Sequence, residues 1–373
     1  MSPSLPEFTL GVEEEYQIID PTTRELRSQG EQVLAEAQKT LGKDIQPEVY
    51  LSQIEIATPV CHTLADVRSA LLYLRGQVIA AAAKTNSQIA AAGTHPFSEW
   101  AKQSVTPKER YQGLVRDYQQ IMRELIIFGC HVHVGISDRE IAIQVMNRAR
   151  TWLAPMLALT ANSPFWLGED TGYASYRTLL WSRWATAGPP SSFASRADYD
   201  ALVDALIAAR AVRDGTKLYW DIRPSERFET LEFRVTDVCA TVDEAVMMAG
   251  ITRALVQTCY EQVVQEKPFA DVRPELLRAA QWRAARFGLD GDLIDVVNQR
   301  SLSAPDLIET LLTFIKPALE TQGDWDEVST IVYQLLENGN GATRQRAVYQ
   351  QTGRLEDVVD YLVAETARGT VSD

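Results

Sequence analysis

The stretch from Thr9 to Asp20 reads TLGVEEEYQIID, and its pattern decides how the rest of the chain is read. Residues alternate with the period of two of a strand, so Glu13, Glu15 and Gln17 share one face while Val12, Glu14, Tyr16 and Ile18 share the other. Two carboxylates on one strand face fit either a solvated edge or a face that holds cations. The choice between them depends on what the other strands bring.

Strand character recurs over residues 49–58, 87–93, 126–136, 217–223 and 230–238, rich in Ile, Val, Phe, Tyr and Thr, which with 8–19 makes six strands. Capping-box patterns open helices at Ser137 with Glu140, Ser195 with Asp198 and Thr241 with Glu244, and Pro155 predicts a kink in the first. Beyond residue 267 the pattern turns helical, over 274–287, 292–299, 305–319, 324–338 and 354–368. Residues 168–176, 185–195 and 337–344 have loop composition. The uneven spacing, with 137–216 between the fourth and fifth strands, predicts an α+β fold with helices on one face of a mainly antiparallel sheet. One domain over 1–373 is expected, with sheet and helices in 8–267 and a helical layer in 268–373. Neither a G-x-G-x-x-G fingerprint nor a Walker A loop occurs.

Of 373 residues, 46% are hydrophobic and 23% charged, the composition of a chain that folds. Against 50 Asp and Glu stand 36 Lys and Arg, a net charge of -14, which repels a nucleic-acid backbone. Cys61, Cys130, Cys239 and Cys259 form no C-x-x-C pair and read as reduced, buried thiols. The N-terminal MSPSLPEFTLG has no basic or apolar leader segment, and the most apolar stretch, 70–83, is interrupted by Arg75, Gly76 and Gln77. A cytoplasmic protein with no membrane partner is expected.

The candidate chemistry lies on the strands. Glu55 sits alone among apolar residues in QIEIA (53–57), where burial requires a partner or a cation. Glu48 has the opposite parity and reaches the same face only from outside the regular strand or across a bulge. His131 and His133 share a face in GCHVHVGI, as metal ligands or hydrogen-bonded core histidines. Glu232, Arg234 and Thr236 share a face of the last strand, either a structural ion pair or a ligand beside a phosphate clamp. Arg177, Arg183 and Arg223 add guanidiniums among aromatics, and Phe165, Trp166, Trp181 and Trp184 are pocket or core candidates. Two carboxylates about 5 Å apart repel by roughly 3 kcal/mol at an effective dielectric near 20, so several converging on one face require cations or protons. Carboxylates with one imidazole suit Mg²⁺ or Mn²⁺.

In order, GVEEEY (11–16), QIEIATP (53–59), GCHVHVGI (129–136), ANSPFWLGEDTGYASYR (161–177), WSRW (181–184), WDIRPS (220–225) and TLEFRVTD (230–237) resemble the glutamate-cysteine ligase-like carboxylate-amine ligase family across roughly residues 8–260. The resemblance implies a fold related to glutamine synthetase, a curved, mainly antiparallel six-stranded sheet flanked by helices. It implies ATP-dependent amide formation from a small carboxylate and an amine through an acyl phosphate, with weak glutamate-cysteine ligation as a further expectation. Glu13, Glu15, Glu55, His131 and Glu232 would then hold Mg²⁺ or Mn²⁺, with Glu48 and His133 as weaker matches. Arg177 and Arg234 would be catalytic, and Arg177, Arg223 and Arg234 would contact substrate or phosphate. A homo-oligomer is compatible with this reading. The competing readings are a metal-dependent hydrolase built on His131 and His133, and a nucleotide-binding member without turnover.

Overall fold

The alternation in residues 9–20 becomes β1 (Leu10–Ile19), the strand around which the sheet is laid. The computed structural model describes residues 6–370, so the first five residues of the N-terminal reading lie outside it. The main sheet also contains β2 (Ile45–Pro47), β3 (Gln53–Ala57), β4 (Gln88–Ala90) and β5 (Gly129–Gly135). A small hairpin, β6 (Phe165–Trp166) with β7 (Glu169–Asp170), precedes its last strands, β8 (Ile222–Pro224) and β9 (Thr230–Asp237). The order is β2-β3-β1-β5-β9-β8, every pair is antiparallel, and β4 pairs with the far end of β1. The sheet is open.

Six strands were expected and, among the described residues, the main sheet has seven, the addition being β2. The strand expected over 49–58 is confined to Gln53–Ala57. That expected over 217–223 is mostly irregular, with a 3-10 turn at Gly215–Lys217 before the short β8. Pro224 is tolerated there because β8 is an edge strand.

Helices Leu64–Lys84 and Val242–Val264 pack against β1, and the second also against β5. Thr63 and Asp66 cap the first reciprocally, and Thr241 accepts from the Glu244 amide at the start of the second. The β1 face bearing Val12, Tyr16 and Ile18 is buried. Glu14 shares it, with no exposed surface, and is bound by Arg75 of Leu64–Lys84, whose Nε lies 2.9 Å from its Oε2. Arg75 also donates to the carbonyls of Cys239 and Ala240.

Helix Arg139–Ala149 starts at Asp138, not Ser137, because the Asp138 carboxylate accepts from two amides of the first turn. A 3-10 turn, Arg150–Trp152, separates it from Leu153–Thr160. The break falls one turn before Pro155, where the missing N–H and the ring clash with the carbonyl four residues back act. The Ser195 cap opens Arg196–Ala208 as expected.

In the C-terminal third, Pro274–Phe287, Ala304–Gln322, Trp325–Asn338 and Leu355–Ala367 are helices where helices were expected. Residues 292–299 are not. They form β10 (Asp292–Asp295) and the turn leading to β11 (Arg300–Ser303), because Asp295 accepts from the Asn298 amide and side chain and Gln299 takes a positive φ. Conversely, the loop expected over 337–344 contains the start of helix Gly341–Thr352, capped by Asn340. Among the described residues no helix is long and apolar enough to cross a membrane.

Candidate active site

Register brings the charged faces together. Glu15 lies opposite Glu55, Glu13 opposite His131, and His133 opposite Glu232. Glu48 follows β2 outside any strand, which removes the parity obstacle. All ten candidate residues, Glu13, Glu15, Glu48, Glu55, His131, His133, Arg177, Arg223, Glu232 and Arg234, line one cavity of about 720 Å³ on the sheet face away from Glu14. Trp181 and Trp184 line it too, whereas Phe165 packs on Tyr349 and Trp166 on Tyr176. Arg183 pairs with Glu124 at the surface.

One expected alignment fails. The β5–β9 register shifts between Cys130 and Val132, so Thr236 comes opposite Cys130 and donates to its carbonyl. It therefore leaves the Glu232 and Arg234 face, and Asp237 comes opposite Gly129. Asp237 accepts from the Asn162 amide (2.8 Å) and the hydroxyls of Ser163 (2.7 Å) and Ser175 (2.8 Å), and Arg177 Nη1 lies 3.8 Å away. The long 161–177 motif thus wraps a buried carboxylate and carries Arg177 to the cavity. Its role in seating Arg177 was not read from the sequence, although Asp237 stood in the quoted TLEFRVTD motif. Arg110, Tyr111, Tyr219, Arg227 and Phe228 also line the cavity and were missed, since they come from helix and loop segments with no shared pattern.

Gly129 permits the close approach. A Cβ there would lie 2.5 Å from Arg177 Nη2 and 3.1 Å from His131 Nε2, and its amide donates to Glu15. Gly129→Ala is expected to cut turnover by about tenfold or more by displacing both side chains. Full activity with an unchanged melting temperature would refute that account.

Two sets of ligand atoms lie within 4.8 Å of one another: Glu13, His131 and Glu232, and Glu15, Glu55 and His131. Burial raises the Glu55 carboxyl well above its usual range, and the carboxylates of Glu13, Glu48 and Glu15 raise it further. Burial and Glu48 push Glu15 to about 7, and burial raises Glu48. For Glu13, burial acts upward, but hydrogen bonds with His131 and His133 hold it well below the usual range. Burial and Arg234 lower His131 to about 4. Glu232 is held low against its burial by Arg234 and Arg223. Arg223 is largely committed, bonding Glu232 at 3.0 Å and the Leu218 carbonyl at 2.7 Å. In contrast, Arg177 Nε and Arg234 Nε are buried without hydrogen-bond partners among the described residues, while His133 Nε2 lies 3.4 Å from Glu13. Repelling carboxylates fit divalent cations, and orphaned guanidinium donors fit phosphate or carboxylate oxygens.

His62 is exposed against Glu7, and His95 is buried against the Arg24 carbonyl. Only His131 and His133 of the four histidines line the cavity, which does not favour the hydrolase reading.

An open antiparallel sheet carries acidic, histidine and arginine side chains that converge on one face, and the family match and relatives make the chain an enzyme of the ATP-dependent, glutamate-cysteine ligase-like class. The family model described as Glutamate-cysteine ligase family 2 (GCS2) matches residues 9–361, and the chain belongs to that family. It is 44% identical over 368 residues to a Rhodopirellula baltica protein named "Putative glutamate--cysteine ligase 2", covering 97% of this chain and 98% of that one. A glutamate-cysteine ligase from Francisella tularensis, solved in complex with AMP, superposes with a TM-score of 0.73 at 12% identity, covering 98% of this chain and 90% of the other. A bifunctional glutathione synthetase from Pasteurella multocida superposes at 0.67 with 16% identity, covering 96% of this chain and 52% of that longer chain.

Proposed function

We propose that this protein is a cytoplasmic, ATP-dependent carboxylate-amine ligase that makes an amide through an acyl phosphate, with L-glutamate, L-cysteine and ATP giving γ-glutamylcysteine, ADP and phosphate as the first reaction to assay. The observation that carries the reading is the convergence of Glu13, Glu15, Glu48, Glu55, Glu232, His131, His133, Arg177, Arg223 and Arg234 on one cavity in a chain of this family.

In this reading Glu13, Glu15, Glu55, His131 and Glu232 hold Mg²⁺ or Mn²⁺, assisted by Glu48 and His133. Bound cations would neutralise the phosphate chain of ATP. Arg177 and Arg234 direct buried, unpartnered Nε–H donors that suit the transferring phosphoryl group and the substrate carboxylate. Arg223 contributes mainly by fixing Glu232. Water exclusion falls to Trp181, Trp184 and Tyr219, which wall the cavity.

The test is phosphate release from ATP with Mg²⁺ or Mn²⁺, first with L-glutamate and L-cysteine, then with a panel of acids and amines. Release that requires both an acid and an amine supports the ligase. Nucleotide binding without release across the panel would instead favour a member without turnover. Arg234→Lys should lower turnover by at least about 100-fold, since an ammonium cannot make a two-pronged contact. Near-normal turnover would remove Arg234 from the mechanism.

The raised carboxyls also set a pH dependence. Glu15, Glu48 and Glu55 keep protons in the cation-free fold at pH values where the unfolded chain has lost them. Their contribution to stability is full below the unfolded carboxylate value and is lost as pH rises through about 7 for Glu15. Cations must displace those protons, so the melting-temperature increase produced by Mn²⁺ should be larger near pH 8 than near pH 6. An increase independent of pH would contradict cation binding at these carboxyls.

A further inference from the structure

Beside the main cavity lies a smaller one of about 240 Å³, reached past Arg110, Leu114, Thr216 and Arg227, which line both. Its wall carries four cations, Arg110, Arg213, Lys217 and Arg227, against two carboxylates, Asp117 and Asp214. Those carboxylates are engaged: Asp117 pairs with Arg213 at 2.7 Å, and Asp214 accepts from the Thr216 amide at 2.9 Å. Arg110, Lys217 and Arg227 have no ion-pair partner among the described residues, in a chain of net charge -14 where acidic partners are abundant. Lys217 is the informative one. It is only 8% exposed, its ammonium makes no hydrogen bond among the described residues, and it lines this cavity. A cation on a largely buried side chain that opens on a cavity with no partner is costly unless an anion meets it there. Burial and the neighbouring Arg110 lower its pKa although the Asp214 carboxylate acts the other way, a net cost that a bound anion would offset.

We propose that this annex is a second anion subsite of the ligase cavity, in which Lys217, Arg110 and Arg227 hold a carboxylate or phosphate group of a bound small molecule. The inference rests on the ligase reading for what occupies the main cavity. The acidic cluster and Arg177 receive the reacting end, and the annex receives a second anionic group on the same molecule. Substrates with two separated anionic groups are selected over those with one, because a monoanion leaves Lys217 unpaired.

The experiment is calorimetric titration of the full chain with L-glutamate, inorganic phosphate and metal-free ATP, on wild type and on Arg110→Ala, Arg227→Ala, their double variant and Lys217→Met. Arg110 and Arg227 are exposed, so their variants report even where Lys217→Met fails to fold. A loss of about tenfold or more in affinity in the double variant is expected. Loss for L-glutamate alone assigns a substrate carboxylate to the subsite, and loss for ATP or phosphate assigns a nucleotide phosphate. Unchanged affinity for all three, or no binding of any by the wild type, overturns the subsite. The ligase reading is judged separately by phosphate release. Binding that falls in the variants with no release in the wild type would retain the anion subsite and reject the ligase.

Discussion

Glu55→Gln is expected to take phosphate release to background, a fall of at least about 1000-fold, without unfolding the protein. Glu55 lies opposite Glu15 in the register, and its ligand atoms group with those of Glu15 and His131. The amide keeps the shape and removes a charge that burial and three neighbouring carboxylates oppose. The melting temperature of the cation-free variant should therefore hold or rise, while its increase with Mn²⁺ should disappear. Turnover within tenfold of wild type would remove Glu55 from the cation site. Glu232→Ala differs in kind. It too should abolish turnover, but it strands Arg223 and Arg234, both held by Glu232, so it should lower stability as well.

The largest stability effect is expected at the other face of β1. Arg75→Ala should lower the unfolding free energy by about 3–5 kcal/mol, measured by denaturant titration, because it leaves the Glu14 carboxylate without a counter-charge and fully buried. It also removes the donors to the Cys239 and Ala240 carbonyls. The double variant Glu14→Gln with Arg75→Met should recover a substantial part of the loss, since the uncompensated charge goes with the glutamate. A single variant within about 1 kcal/mol of wild type would show that the pair does not anchor helix Leu64–Lys84 to the sheet.

Much of the candidate site was legible. The chemistry was carried on strands, where a period of two assigns each side chain to a face from sequence alone. Glu13 and Glu15 could be grouped before any pairing was known, and so could His131 and His133. The errors have local causes. Thr236 was misplaced because a bulge changes parity and leaves no reliable mark in the sequence. Residues 292–299 carry a helical pattern, but the Asp295 turn, closed by the Asn298 amide and side chain, overrides it. Asn340 was read as a loop residue although asparagine is also a helix cap.

The sequence by itself determined the α+β class, the face of each long strand, several helix starts and, through the ordered motifs, the family. These depend on φ/ψ preferences, side-chain alternation and short-range capping, which act within a few residues. Only the tertiary structure decided which faces meet. It buried Glu14 against Arg75 while Glu13 and Glu15 face the cavity, seated Arg177 beside Asp237, and gathered Arg110, Lys217 and Arg227 beside the acidic cluster. Those groups are separated by tens to more than a hundred residues. Their meeting is set by burial and strand register across the whole sheet, which no local pattern encodes.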